Sequence, residues 1–393
     1  MRRGVLGVLL VALCCSAAAY GQSSNFYIPD WVYDKMVEIL DRAESGDLPG
    51  AVDDLYVLKK KMRRGSAAHA TVVRELGTVL IRAGRYADAQ AELEAVVKVA
   101  DAGYANDLRF QLAQAYLLQD KFIPAEETLR TFLDEAEEPP PHAYFLAGYA
   151  AYRRQGYVDA IGFLETANAM SAKPRGTWVE LLAFSYLEAG RGEDAVMLLK
   201  RTIEQAPAQT RWWRYLARFL FAVDDIESGA ASMAIASMVA EAEAGDVVRL
   251  ARLYAFIGVP ESGARLLEAA LESGAVAIDY DRTMLLAECW LLAREFERAV
   301  ATLEVAGSLT SQAEPFVTLG QLYMHWEQYE NALRVLDIAV DRGVSDGEGQ
   351  LYYLLGLAAY NLTEFGRARA ALEQASTDAS YGRSAKELLT RLD

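Results

Sequence analysis

The sequence predicts an all-α protein, a solenoid of about nine helical hairpins preceded by a degenerate hairpin and closed by a capping helix. Three observations predict this. A small residue recurs at Ala51, Ala89, Ala125, Ala160, Ala195, Gly229, Gly263, Ala299, Ala332 and Ala368, with successive gaps of 38, 36, 35, 35, 34, 34, 36, 33 and 36 residues. Unrelated helices have no reason to keep such a period. Around it the same phrase returns: Leu76-Gly77, Leu80, Gly84, Tyr86, Ala89, Leu93 and Val96 are matched at identical spacing by Leu319-Gly320, Tyr323, Tyr329, Ala332, Leu336 and Ala339. Finally, 53% hydrophobic content over 393 residues is ample for a continuous core.

Residues 1–21 read as a secretory leader. Arg2 and Arg3 precede an apolar run from Val5 to Cys15 and a small-residue region from Ser16 to Gly21. Cleavage before Tyr20 and cleavage before Gln22 both satisfy the small-x-small rule, and the second is favoured. The rival is a lipoprotein signal that acylates Cys14 or Cys15, but Leu13 is large where a small residue precedes a modified cysteine, and Cys15 lacks a leucine three places before it. The leader sends the chain to the periplasm or another extracytoplasmic space. Residues 22–30 are a short linker. In 31–65, Trp31, Met36, Ile39 and Leu40 mark one helix and Val52, Leu55 and Leu58 a second, the degenerate N-terminal cap. The array fills 66–379. Its one conspicuous insertion is acidic and stiff, Asp134, Glu135, Glu137 and Glu138 running into Pro139, Pro140 and Pro141. In 380–393, Ala385, Leu388, Leu389 and Leu392 fall at helical spacing with charges between them, which suits a polar-faced capping helix. After Ser16 no apolar run approaches the roughly 20 residues of a spanning helix.

These spacings resemble the tetratricopeptide repeat family, whose 34-residue unit carries the same Leu-Gly, Tyr, Ala, aromatic or Leu, Ala, Pro skeleton. The resemblance covers roughly residues 70–380; a third copy, Leu182-Ala183, Tyr186, Gly190, Ala195 and Leu199, ends at Pro207. It implies a right-handed superhelix of stacked hairpins. The physics agrees: a small residue at the eighth and twentieth places lets the two helices of a hairpin approach closely, and a hairpin's exposed apolar face is buried only by its neighbours. The chain also departs from the pattern. The family's fourth-place Trp is kept as Trp213, Phe316 and Tyr352 but is Val73, Arg109 and Val179 elsewhere. Gly229 and Gly263 replace alanine inside helices, at a cost of about 1 kcal/mol each. They either soften the fifth and sixth hairpins or permit a tighter crossing there.

Catalytic constellations are lacking. His69, His142 and His325 fall in different hairpins, and Cys289 is the one cysteine beyond the leader, at a place that suits a small buried hydrophobe. The sequence has no phosphate-binding loop and no nucleophile turn. The expectation is a protein without cofactor, metal or enzymatic activity. The sequon Asn361-Leu362-Thr363 lies near the end of a packed helix and reads as chance. Losing the leader removes two arginines and no carboxylate, so the net charge of −16 becomes −18; nucleic acid is not an expected partner.

In the family the concave surface comes from the first helix of each hairpin, chiefly its second, fifth, ninth and twelfth places. In the fifth and sixth hairpins these places give Arg211, Arg214, Arg218 and Arg252, with Arg249 one place aside. Arginine's planar fork suits carboxylate or phosphate, so the expected partner is a protein or peptide with an acidic segment or C-terminal carboxylate. The third and fourth hairpins add Phe145, Tyr149, Tyr152 and Phe184, either aromatic anchors for a peptide or members of the core. The family's carboxylate clamp of Lys and Asn is absent from these hairpins. The leading expectation is an extracytoplasmic scaffold, in cell-envelope assembly, that binds proteins in a groove. The alternative is a ligand-capture subunit of a transport system holding an anionic small molecule on the arginines.

Overall fold

The computed structural model describes residues 28–100, 102–171, 175–239, 243–343 and 348–392. The leader and most of the linker lie outside them. Twenty-one helices are found among the described residues: α1 Asp30–Glu44, α2 Leu48–Lys60, α3 Ala67–Arg82, α4 Tyr86–Val97, α5 Ala102–Leu117, α6 Phe122–Glu135, α7 Pro141–Arg153, α8 Tyr157–Ala169, α9 Gly176–Glu188, α10 Gly192–Gln205, α11 Thr210–Ala222, α12 Ile226–Val239, α13 Ala244–Phe256, α14 Pro260–Glu272, α15 Tyr280–Leu292, α16 Phe296–Ser308, α17 Glu314–His325, α18 Tyr329–Arg342, α19 Glu348–Asn361, α20 Phe365–Ala375 and α21 Gly382–Leu389.

Local chemistry sets many of these starts. Asp47, Ser66 and Asp279 accept the orphan backbone N–H three residues on, at 2.9, 3.2 and 2.9 Å. Pro141 and Pro260 open α7 and α14, where the missing N–H costs nothing. The acidic insertion therefore feeds a helix start directly, with extended backbone at Ala136 and Pro140 before it.

Each hairpin of the array turns the same way. The fifteenth place holds a left-handed residue in all nine: Gly84, Asp120, Gln155, Gly190, Asp224, Gly258, Arg294, Glu327 and Thr363. The N–H that follows reaches back to the carbonyl five residues earlier, as from Arg85 to Leu80 at 2.8 Å and from Glu364 to Ala359 at 2.9 Å, satisfying an end-of-helix acceptor.

The helices form two compact bodies, residues 1–195 and 196–393. In the first, consecutive helices α1 to α9 pack in pairs, and first helices also meet one another, α1 with α3, α3 with α5 and α7 with α9. Its core runs from Val32, Ile39 and Leu55 on the degenerate N-terminal hairpin through Leu76 and Leu80 to Leu93 and Leu108. The second body packs α11 to α21 likewise, with α13 against α15 and α17 against α19. Its core joins Leu267, Cys289, Trp290, Leu303, Leu319, Leu336 and Leu355. Ala385 of α21 closes the end on Leu372 and Ala375, while Arg383 and Glu387 face outward.

The small residues do what their places require. A Cβ on Gly77, Gly148, Gly320 or Gly356 would come within 3.1, 2.5, 2.4 or 2.7 Å of Leu93, Leu164, Leu336 or Leu372 on the same hairpin's second helix. Gly263 goes further. A Cβ there would sit 2.7 Å from the Ala251 carbonyl oxygen, so α14 lies directly against the backbone of α13. Of the two expectations for this glycine, the tighter crossing holds. At Gly229 the space is filled by the Phe221 ring.

Candidate partner-binding groove

The aromatic candidates belong to the first body. Phe145, Tyr149 and Phe184 are buried. Phe145 stacks on Trp178 with centroids 5.2 Å apart, and Tyr149 meets Phe122 edge-on at 6.3 Å while its hydroxyl accepts from Arg153 at 2.6 Å. Tyr152 is half-buried against Tyr157. Three of the four thus contribute packing within their own body, and a partner would have to displace existing contacts to use them.

The arginine candidates belong to the second body and are all exposed. Arg214 already spans two carboxylates, Glu243 and Asp246, each at 3.1 Å. The Arg211 guanidinium lies over the Trp212 ring at 4.5 Å and that of Arg249 over Phe221 at 5.4 Å, and neither has a carboxylate partner among the described residues. Arg252 points into a different environment.

That environment is a groove of about 840 Å³ in the same body, lined by three first helices and by Leu303 of the second helix α16. On α13 it is lined by Arg252, Ala255 and Phe256; on α15 by Asp281, Met284, Glu288, Leu291 and Leu292 among others; on α17 by Glu314 and Thr318. Phe256 is 78% exposed and Leu292 54%, large apolar side chains left in water beside the groove they line. The Tyr280 hydroxyl donates to Glu314 at 2.9 Å across the α15–α17 step, and burial together with that carboxylate pushes the phenol up to about 12. Asp281, Met284, Glu288 and Leu291 occupy the second, fifth, ninth and twelfth places of the seventh hairpin. The register of inner places that carries the arginines therefore also falls here, on mixed acidic and apolar side chains.

Cys289 is fully buried, its thiol pushed up to about 11 chiefly by that burial. No cluster of metal-ligating side chains occurs among the described residues, and no described helix is long and apolar enough to cross a membrane.

The model of the tetratricopeptide repeat matches residues 74–122 and 317–382, one stretch in each body and both on the predicted register. Both stretches are tetratricopeptide repeats. No curated protein matches it. Among solved structures, a tetratricopeptide repeat protein from Parabacteroides merdae is 17% identical, with a TM-score of 0.43, over 66% of this chain and 99% of that one. YrrB, a tetratricopeptide repeat protein with an unusual peptide-binding site, is 11% identical over 43% of this chain and 86% of its own, with a TM-score of 0.39. MamA is 18% identical over 45% and 94%, again with a TM-score of 0.39. In the second body, the groove between α13, α15 and α17 is lined by two exposed large apolar side chains, Phe256 and Leu292.

Proposed function

We propose that this chain is a non-catalytic scaffold that binds protein segments along the first helices of its hairpins, working in the extracytoplasmic space in the assembly of the cell envelope. The observation that carries the binding reading is the groove between α13, α15 and α17, with Phe256 and Leu292 exposed beside it. Large apolar side chains held in water beside a groove carry a solvation cost that a bound partner would recover. The leader read in residues 1–21 supports export. Arg211 and Arg249, without carboxylate partners, add a second neighbourhood for an acidic segment on α11 and α13.

A photo-reactive phenylalanine analogue at position 256, compared with one at exposed Val305 on the second helix α16, tests the reading in the native cell. Cross-linking of a defined protein from position 256 and not from 305 is the expected result. Cross-linking from 305 alone would move the binding surface off the groove.

A further inference from the structure

The charge of the groove is specific. Its apolar part, Phe256, Met284 and Leu291, is bracketed by Asp281 and Glu288 on α15 and by Glu314 on α17, with Arg252 on the α13 wall as the counter-charge. Asp281 and Glu288 have no ion-pair partner among the described residues. They stand seven residues apart, about 10 Å along the helix, with Met284 between them. Three carboxylates against one guanidinium give the groove an excess of negative charge around an apolar floor. An acidic segment would meet repulsion over most of that length, and a purely apolar one would desolvate the carboxylates without replacing the lost water.

We infer that this groove takes a basic and apolar peptide segment, its large apolar side chain seated against Phe256, Met284 and Leu291 and its lysines or arginines against Asp281, Glu288 and Glu314. Arg252 sets the direction: it repels a basic side chain from the α13 wall, so the positive end of the segment lies over α15 and α17. The inference rests on the scaffold reading and supplies the partner's chemistry, which is opposite in sign to the acidic segment expected from the arginines.

The test uses the purified protein and three labelled twelve-residue synthetic peptides of alternating leucine and a polar residue, the latter lysine, glutamine or glutamate. Fluorescence anisotropy at moderate salt should rank lysine above glutamine above glutamate, with at least a tenfold span. Glu288→Gln combined with Glu314→Gln should weaken the lysine peptide at least fivefold, and Phe256→Ala should weaken both the lysine and glutamine peptides. A charge-matched control, Glu272→Gln with Glu304→Gln on the second helices α14 and α16, should leave the lysine peptide within twofold; circular dichroism melts establish that all variants fold. Equal binding of the lysine and glutamate peptides, no binding of the lysine peptide, or an equal loss in the control would overturn the inference. If cross-linking from position 256 still succeeds in that event, the scaffold stands and only its partner's charge is wrong.

Discussion

Thr363 holds a left-handed backbone, φ 60°, at the turn between α19 and α20. A β-branched residue pays roughly 1–2 kcal/mol there because its Cβ crowds the following carbonyl oxygen. Thr363→Gly should raise the unfolding free energy by up to about 1 kcal/mol, the relief being offset in part by glycine's greater freedom in the unfolded chain. Urea unfolding reads the sign, and a lower midpoint would show that the Thr363 side chain contributes more than its backbone costs. His142 strains the molecule differently. Its ring lies stacked near Phe145 and Trp178, both nitrogens are buried without a partner, and burial, aided by the Arg175 charge, pushes it down to about 4. The unfolded chain, with an ordinary value of 6.5, therefore takes up the proton first, so stability is lost as the pH falls from 6.5 toward 4. That interval corresponds to on the order of 3 kcal/mol. Thermal midpoints measured across it should drop for the parent and stay flatter for His142→Phe; parallel curves would mean that other groups dominate.

Two helical glycines make opposite predictions at the scale of the element. In α8, Gly162 has open space where a Cβ would go, so Gly162→Ala should stabilise by about 0.5–1 kcal/mol through propensity alone. In α14, Gly263→Ala should destabilise by a net of roughly 1–2 kcal/mol, because the added methyl meets the Ala251 carbonyl and the backbone of α13 must retreat. Chemical denaturation of the pair separates crossing geometry from propensity, and stabilisation in both would show that α13 and α14 part without cost. The elements themselves were largely legible in the sequence, since Leu93, Leu336 and their equivalents must pack opposite Gly77, Gly320 and theirs. The turns were not: Gly84 and Gly190 announce a left-handed residue, but Gln155, Arg294 and Glu327 carry no such signal and are held in place by the helices on either side.

For the whole molecule, the candidate site was half legible. Arg252 lines a groove, but sequence could not tell that Phe145 and Phe184 are packed inside or that Arg214 is already paired. Burial and pairing depend on which neighbours the chain brings up, and no single helix records them. Export carries its own prediction: intact-mass analysis of the protein recovered from its native cell should show a chain beginning at Gln22, whereas an acylated start at Cys14 or Cys15 would replace a free scaffold with a tethered one.

In every hairpin of the array the second helix begins two residues after the left-handed one, from Gly84 to Tyr86 through Thr363 to Phe365. The turn inside each hairpin is therefore constant, and the variation in repeat length falls in the helices and in the connectors between hairpins. A short Gly-Ser insert after Glu137 should be absorbed by the existing connector, while the same insert after Arg294 would break the turn that makes α15 and α16 one unit of inheritance.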